Sequence, residues 1–187
     1  SAAAATLILS GRDYLTFQFI NFIGGGNVST HCIDGSSATS TNITFRDCTF
    51  FGSSHSGIGS SSAVMRAVNA SGTTGFNWLV ERCLFYTPVG GTGITVAPVT
   101  LASGTDYDVL FTARNCIFLG NYSRSIFFAP SGTATYKPGG LLVDACSLLG
   151  TNATAAINAT ANSSTTVPVV VRNCCITGSV GLSATTS

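Results

Sequence analysis

The sequence predicts an all-β chain wound as a parallel β-solenoid, with about five to six coils of three short strands. Three observations carry this. Six ten-residue segments align without gaps. One column of that alignment is cysteine in five of the six segments. Within each segment the apolar positions follow strand periodicity with a single break.

The segments are 15–24 (LTFQFINFIG), 43–52 (ITFRDCTFFG), 78–87 (WLVERCLFYT), 111–120 (FTARNCIFLG), 141–150 (LLVDACSLLG) and 169–178 (VVVRNCCITG). The central column, position 0, reads Ile20, Cys48, Cys83, Cys116, Cys146 and Cys174, at spacings of 28, 35, 33, 30 and 28 residues. Positions −5 and −3 are apolar and share a face, as do positions 0 and +2. Because −3 and 0 lie an odd number apart, a straight strand cannot bury both pairs. A two-residue corner at −2 and −1 resolves the conflict by turning the chain, so that both short strands point inward. Asp47, Asn115 and Asn173 at −1 tolerate the left-handed backbone such a corner needs; Arg82 and Ala145 fit it less well.

A third strand is expected between segments. Its positions are residues 6–9, 31–33, 63–68, 93–96, 125–128, 155–157 and 180–182, flanked by Gly/Ser/Thr-rich spacers. Spacer length then varies while strands stay in step. Coils stack about 4.8 Å apart, so like residues sit above one another. Cys48, Cys83, Cys116, Cys146 and Cys174 form a core ladder, because cysteine is small, apolar when protonated and often fully buried. Stacked side chains project in parallel, which suits free thiols better than bridges. Cys175 is expected to face away from Cys174.

The repeat, of the type IxFRxCxFxG, together with the opening run 7–17 (LILSGRDYLTF), resembles the right-handed parallel β-helix, or pectin-lyase-like, family over the whole chain. The resemblance implies the fold. It leaves function open, since that group holds lyases, hydrolases, phage tailspikes, adhesins and inert surface proteins.

The chain has 187 residues, enough for a single domain over 1–187 with its own core. Its start, Ser1-Ala2-Ala3-Ala4-Ala5, and its single methionine, Met65, are expected of an excised or processed part of a longer chain. Charged residues make up only 8%, against about 25% in an average soluble domain. With a net charge of +1 there is no electrostatic footprint for nucleic acid or an anionic membrane, so neither is expected as a partner.

Seven of the fifteen charged residues fall in the corner. The −2 column reads Arg46, Glu81, Arg114, Asp144, Arg172, alternating in sign at each step. Neighbours one coil apart can pair, so the column reads as a cross-strand ion ladder that favours one register. A substrate track for a polyion requires a single sign.

Enzymes of this fold that cleave uronate polymers use clustered carboxylates or acidic calcium ligands. The acids outside the corner are Asp13, Asp34, Asp106 and Asp108. Asp106 and Asp108 flank Tyr107 in an expected loop and are the weak candidates for a cation site, against a solvated turn as the ordinary explanation. His31 adjoins Cys32 on an expected strand, and His55 sits in a Ser/Gly loop. No catalytic residue and no cofactor is assigned, and the chain is read as leaning away from an enzyme.

The +3 column should face outward, yet it reads Ile23, Phe51, Tyr86, Leu119, Leu149, Thr177. Such an apolar stripe marks a contact face unless the following loop folds over it. Seven Asn-x-Ser/Thr triplets begin at Asn27, Asn42, Asn69, Asn121, Asn152, Asn158 and Asn162, which permits glycosylation in a eukaryotic host. The expectation is a non-enzymatic structural or adhesive module of a virion fibre, tailspike or cell-surface filament, extracellular or on a virion. Its partners are other copies of itself, as a homotrimer or filament, or other surface proteins. The alternative is a carbohydrate-active enzyme or glycan-binding module of the same fold.

Overall fold

Each of the six repeat segments bends at its corner, and the two arms of every segment join two different parallel sheets. The computed structural model describes residues 6–24, 31–35, 40–52, 63–67, 75–88, 92–96, 106–128, 135–162 and 168–185. Among them there is no helix, and every strand pair is parallel. The arms before the corner form a six-stranded sheet of Thr16–Gln18, Ile43–Arg46, Gly75–Glu81, Asp106–Arg114, Thr135–Asp144 and Val169–Arg172. The arms after it stack as Asn21–Ile23, Thr49–Phe51, Leu84–Thr87, Ile117 onward, Ser147–Leu148 and Cys175–Ile176. The expected parallel β-solenoid is borne out.

The third sheet follows the expected third strands. Leu7, Ile33, Met65, Ile94, Ile126, Ile157 and Val180 stand in one register column. In the fourth coil no loop separates the second arm from the third strand, so Ile117–Phe128 runs as one strand through both sheets. The bend there sits at Gly120, whose φ is +113°. A Cβ at this position would collide with the Thr87 carbonyl one coil below.

Side-chain stacking fills the interior. The +2 rings pile face to face at the coil repeat: Phe22 on Phe50 at 5.1 Å, Phe50 on Phe85 at 4.6 Å and Phe85 on Phe118 at 4.8 Å between centroids. Phe17 and Phe45 stack beside them at 5.0 Å and meet that pile edge-on. Core volume is shared between columns. Where −5 carries the large Trp78 or Phe111, −3 shrinks to Val80 or Ala113, and all four are fully buried. Trp78 can be buried because its indole N–H donates to the Ser40 carbonyl at 2.8 Å.

The pre-corner strands of the middle coils are longer than the repeat alone suggests. One consequence corrects the loop expected around Tyr107: Asp106 and Asp108 lie within the strand Asp106–Arg114, in register with Thr135 and Lys137 of the next. The reason is that residues 106–110 pair with backbone on the following coil, and so extend the sheet rather than turn.

Ring stacking yields a direct test. Phe85→Ala, which leaves a cavity between Phe50 and Phe118, is expected to lower unfolding free energy by about 3–5 kcal/mol in a urea titration. Ile23→Ala, at a site 66% exposed, should change it by less than about 1 kcal/mol.

Candidate functional site: the charged corner and the outer face beside it

All six −1 residues adopt the left-handed conformation. Phe19, Asp47, Arg82, Asn115, Ala145 and Asn173 have φ between 52° and 57°. Arg82 and Ala145 therefore take the same backbone as Asp and Asn, although their side chains offer no local compensation. The hydrogen bonds on either side hold them there. Before the turn, the −1 amides of the first five coils donate to the −2 carbonyl of the following coil: Phe19 to Arg46, Asp47 to Glu81, Arg82 to Arg114, Asn115 to Asp144 and Ala145 to Arg172, at 3.0–3.3 Å. After it, each +1 amide donates back to the position-0 carbonyl of the preceding coil: Thr49 to Ile20, Leu84 to Cys48, Ile117 to Cys83, Ser147 to Cys116 and Cys175 to Cys146, at 2.9–3.0 Å. On a straight parallel strand, amides two residues apart donate to the same neighbour, so the left-handed residue shifts the alternation of the ladder by one.

The cysteines close the inside of this corner. Each Sγ donates to the −2 carbonyl of its own coil: Cys48 to Arg46, Cys83 to Glu81, Cys116 to Arg114, Cys146 to Asp144 and Cys174 to Arg172, at 3.1–3.4 Å. Sulfur also accepts, since the Cys116 amide points at Cys146 Sγ at 3.5 Å. A side chain here must be small and apolar, yet able to do both. Sequence reading finds the smallness but not the hydrogen bond. All seven cysteines are free thiols; Cys174 is half-buried, Cys175 is exposed and the others are buried. Burial pushes the Cys116 thiol well up, and the Cys32 thiol up to about 12.

The −2 charges lie side by side on the outside. Arg46 Nε reaches Glu81 Oε2 at 3.0 Å, Arg114 Nη1 lies 3.8 Å from Glu81 Oε1, and Arg172 Nη2 reaches Asp144 Oδ2 at 3.0 Å. A second ladder runs beside it at −1. There Arg82 grips Asp47 with two bonds, of 2.7 and 2.9 Å, and Gln18 donates to Asp47 from the coil below at 3.1 Å. The alignment contained this second pairing as Asp47 followed by Arg82 in one column. The arginines stand 43–57% exposed and the acids 13–23%, so the carboxylates are covered by their partners.

The outer face of the post-corner sheet carries the apolar column. Ile23, Phe51, Tyr86 and Leu119 stand in register, with Leu149 above them, and all are exposed. Phe51 and Tyr86 touch edge-on at 6.1 Å. Ile117, 43% exposed, widens the patch on the corner side. The loop 53–62, which the sequence offers as a cover, lies outside the described residues, as do His55, Asn27 and Asn69.

Other candidates resolve differently. His31 is buried with Nδ1 2.6 Å from the Ala63 carbonyl, a bond between coils. Asp13 accepts from both the amide and the hydroxyl of Thr41, at 2.6 and 2.8 Å. Among the described residues no three His, Cys, Asp or Glu are grouped to hold a metal ion. A cleft of about 390 Å³ opens on the outer face of the pre-corner sheet, lined by Asn42, Thr44, Asn77, Leu79, Thr112 and Arg114. The two carboxamides at its edge are bonded to each other at 3.3 Å. No family model, curated protein or solved structure matches the chain.

Two outcomes follow from the corner. The Arg82 guanidinium beside Asp47, and the Arg172 guanidinium beside Asp144, hold both carboxyls below the ordinary 3.8. A depressed folded pKa means the stabilisation is complete above that ordinary value and is lost as pH falls through the lower folded one. The thermal midpoint is expected to drop below about pH 4, and D47N/D144N should lower it at neutral pH while flattening that acid limb. In a thiol titration of native protein, Cys175 should react first and Cys174 more slowly, with the five buried thiols reacting only on unfolding.

Proposed function

We propose that this chain is a non-enzymatic structural module: a stiff β-solenoid that packs against other copies of itself through the outer face of its post-corner sheet. The observation that carries the reading is the in-register exposed column Ile23, Phe51, Tyr86, Leu119, Leu149. Isolated exposed apolar residues are ordinary on any protein, but a contiguous row of them marks a contact surface. The described residues on this face carry no charge, so a partner need not be strongly charged. The resemblance to pectin-lyase-like β-helices supports placing such a module in a virion fibre, tailspike or cell-surface filament, outside the cell. Rigidity suits that role, since backbone groups within the stack are paired coil to coil.

A glycan-binding or carbohydrate-active reading is favoured by one observation, the cleft on the pre-corner sheet. Its carboxamides, threonine hydroxyls, Arg114 and the apolar Leu79 are the groups that recognise sugar hydroxyls and ring faces. Incubation with acidic and neutral polysaccharides, read by reducing ends and by unsaturated-product absorbance, separates the two. Products would replace the structural reading with the enzymatic one.

Sedimentation velocity over a concentration series tests the assembly directly. The unaltered chain is expected to self-associate, and F51S/L119S to remain monomeric with an unchanged circular dichroism spectrum. An oligomer that survives the double substitution rules out this face as the contact.

A further inference from the structure

The outer face of the post-corner sheet is patterned as its own complement under a half-turn. Numbering the coils one to six from Ile20 to Cys174, the +1 column nearest the corner reads Asn21, Thr49, Leu84, Ile117, Ser147, Cys175. Its middle is apolar at Leu84 and Ile117, flanked by the hydroxyls of Thr49 and Ser147, with Asn21 at one end and the exposed thiol of Cys175 at the other. The +3 column is apolar throughout except at Thr177. The −2 column reads Gln18, Arg46, Glu81, Arg114, Asp144, Arg172, and reversing it sets each charge of coils two to five against its opposite, while Arg172 falls on Gln18.

From this self-complementarity we infer that two copies pair face to face and antiparallel, about a two-fold axis that runs along the strands between the third and fourth coils. The inference rests on the assembly reading above, and it deepens that reading by fixing partner and orientation. The half-turn keeps both corners on the same side of the contact and reverses the coil order. Leu84 then meets the partner's Ile117, Thr49 the partner's Ser147, and Asn21 the partner's Cys175. In the second column Tyr86 meets the partner's Leu119, and Phe51 the partner's Leu149. Along the rim Arg46 faces the partner's Asp144, and Glu81 faces the partner's Arg114. Every apolar residue of the first column finds an apolar one, and every rim charge of coils two to five an opposite one.

The parallel arrangement does worse on both counts. A two-fold axis along the solenoid leaves each coil opposite itself but swaps the columns. Asn21 would then cover the partner's Ile23, Thr49 the partner's Phe51, and Ser147 the partner's Leu149. The corners would sit on opposite sides of the contact, so the rim charges would not meet.

The face is about 24 Å tall, five coil steps of about 4.8 Å. Together with the corner it lies at the small end of specific interfaces, which favours a concentration-dependent dimer in the micromolar range.

Cys175 is a built-in reporter, since it is exposed at one end of the face. In the antiparallel dimer the two Cys175 thiols are about 24 Å apart, beyond a short bismaleimide. The expected result is no cross-link in the unaltered protein, a covalent dimer in Asn21→Cys, and its loss in N21C/C175S. Within one chain residues 21 and 175 are equally distant, so any such link is between copies. Cross-linking of the unaltered protein through Cys175, or a trimer in sedimentation, would overturn the antiparallel pairing and leave face-mediated assembly standing. A monomer at every concentration would overturn both.

Discussion

One left-handed residue at each corner governs this structure. Along each arm the amides donate alternately to the coil above and the coil below, as Leu141 to Pro168 and Thr44 to Leu15 do before the corner, and the bend shifts that alternation by one residue. The −1 residue takes the bend at φ near 52–57°, so that its own amide donates up the stack while the amide two residues on donates down it. The left-handed conformation disfavours any side chain, so one such residue alone would be a weak point. Six stacked together brace one another, because the amides of the first five are each tied to the coil above. That is why Arg82 and Ala145 are tolerated at a position that favours Asn or Asp.

Most of the other features answer to the corner. It points a side chain inward right after a carbonyl that its own coil leaves half-used, and cysteine supplies a weak donor of the right size. It points the −2 side chain outward in register, so charges of alternating sign lie one coil apart, and Arg172 holds the Asp144 carboxyl below its ordinary value. Large and small residues can then trade places between columns −5 and −3, since register is set at the corner and not by any one core side chain. Trp78 over Val80 and Phe111 over Ala113 show the trade.

Much of this was legible in the chain. The odd spacing between −3 and 0 forces a corner whatever the residues there, and the cysteine column gives the register of two sheets at once. The third sheet was legible only as a set of short apolar runs. Its register, Leu7 through Val180, depends on loops whose lengths vary and carry no repeat. The middle pre-corner strands were under-read for a related reason. Residues 106–110 pair with backbone that their own side-chain pattern does not announce, and so Asp106 and Asp108 look like a turn. The thiol hydrogen bonds were invisible because burial alone already accounts for cysteine. The outer column was legible as apolar, but its exposure is a property of the folded coil.

The geometry of a solenoid limits what an outer column can do. Residues in one column recur at each coil, so any apolar column becomes a stripe parallel to the solenoid axis, and a partner that covers it must lie alongside. Two such stripes can meet only in the same or the opposite sense. The choice is decided by how the neighbouring columns differ from one another, not by the stripe itself. Here the +1 column has the hydroxyls of Thr49 and Ser147 on either side of an apolar middle, and the corner on its other side alternates in charge. A repeat with identical coils would carry no such preference, because every register would be equally good. The departures from the repeat, Leu84 and Ile117 where other coils have Asn, Thr, Ser or Cys, therefore carry the information that selects one arrangement. In a β-solenoid the repeat builds the rod, and its exceptions decide how that rod meets another.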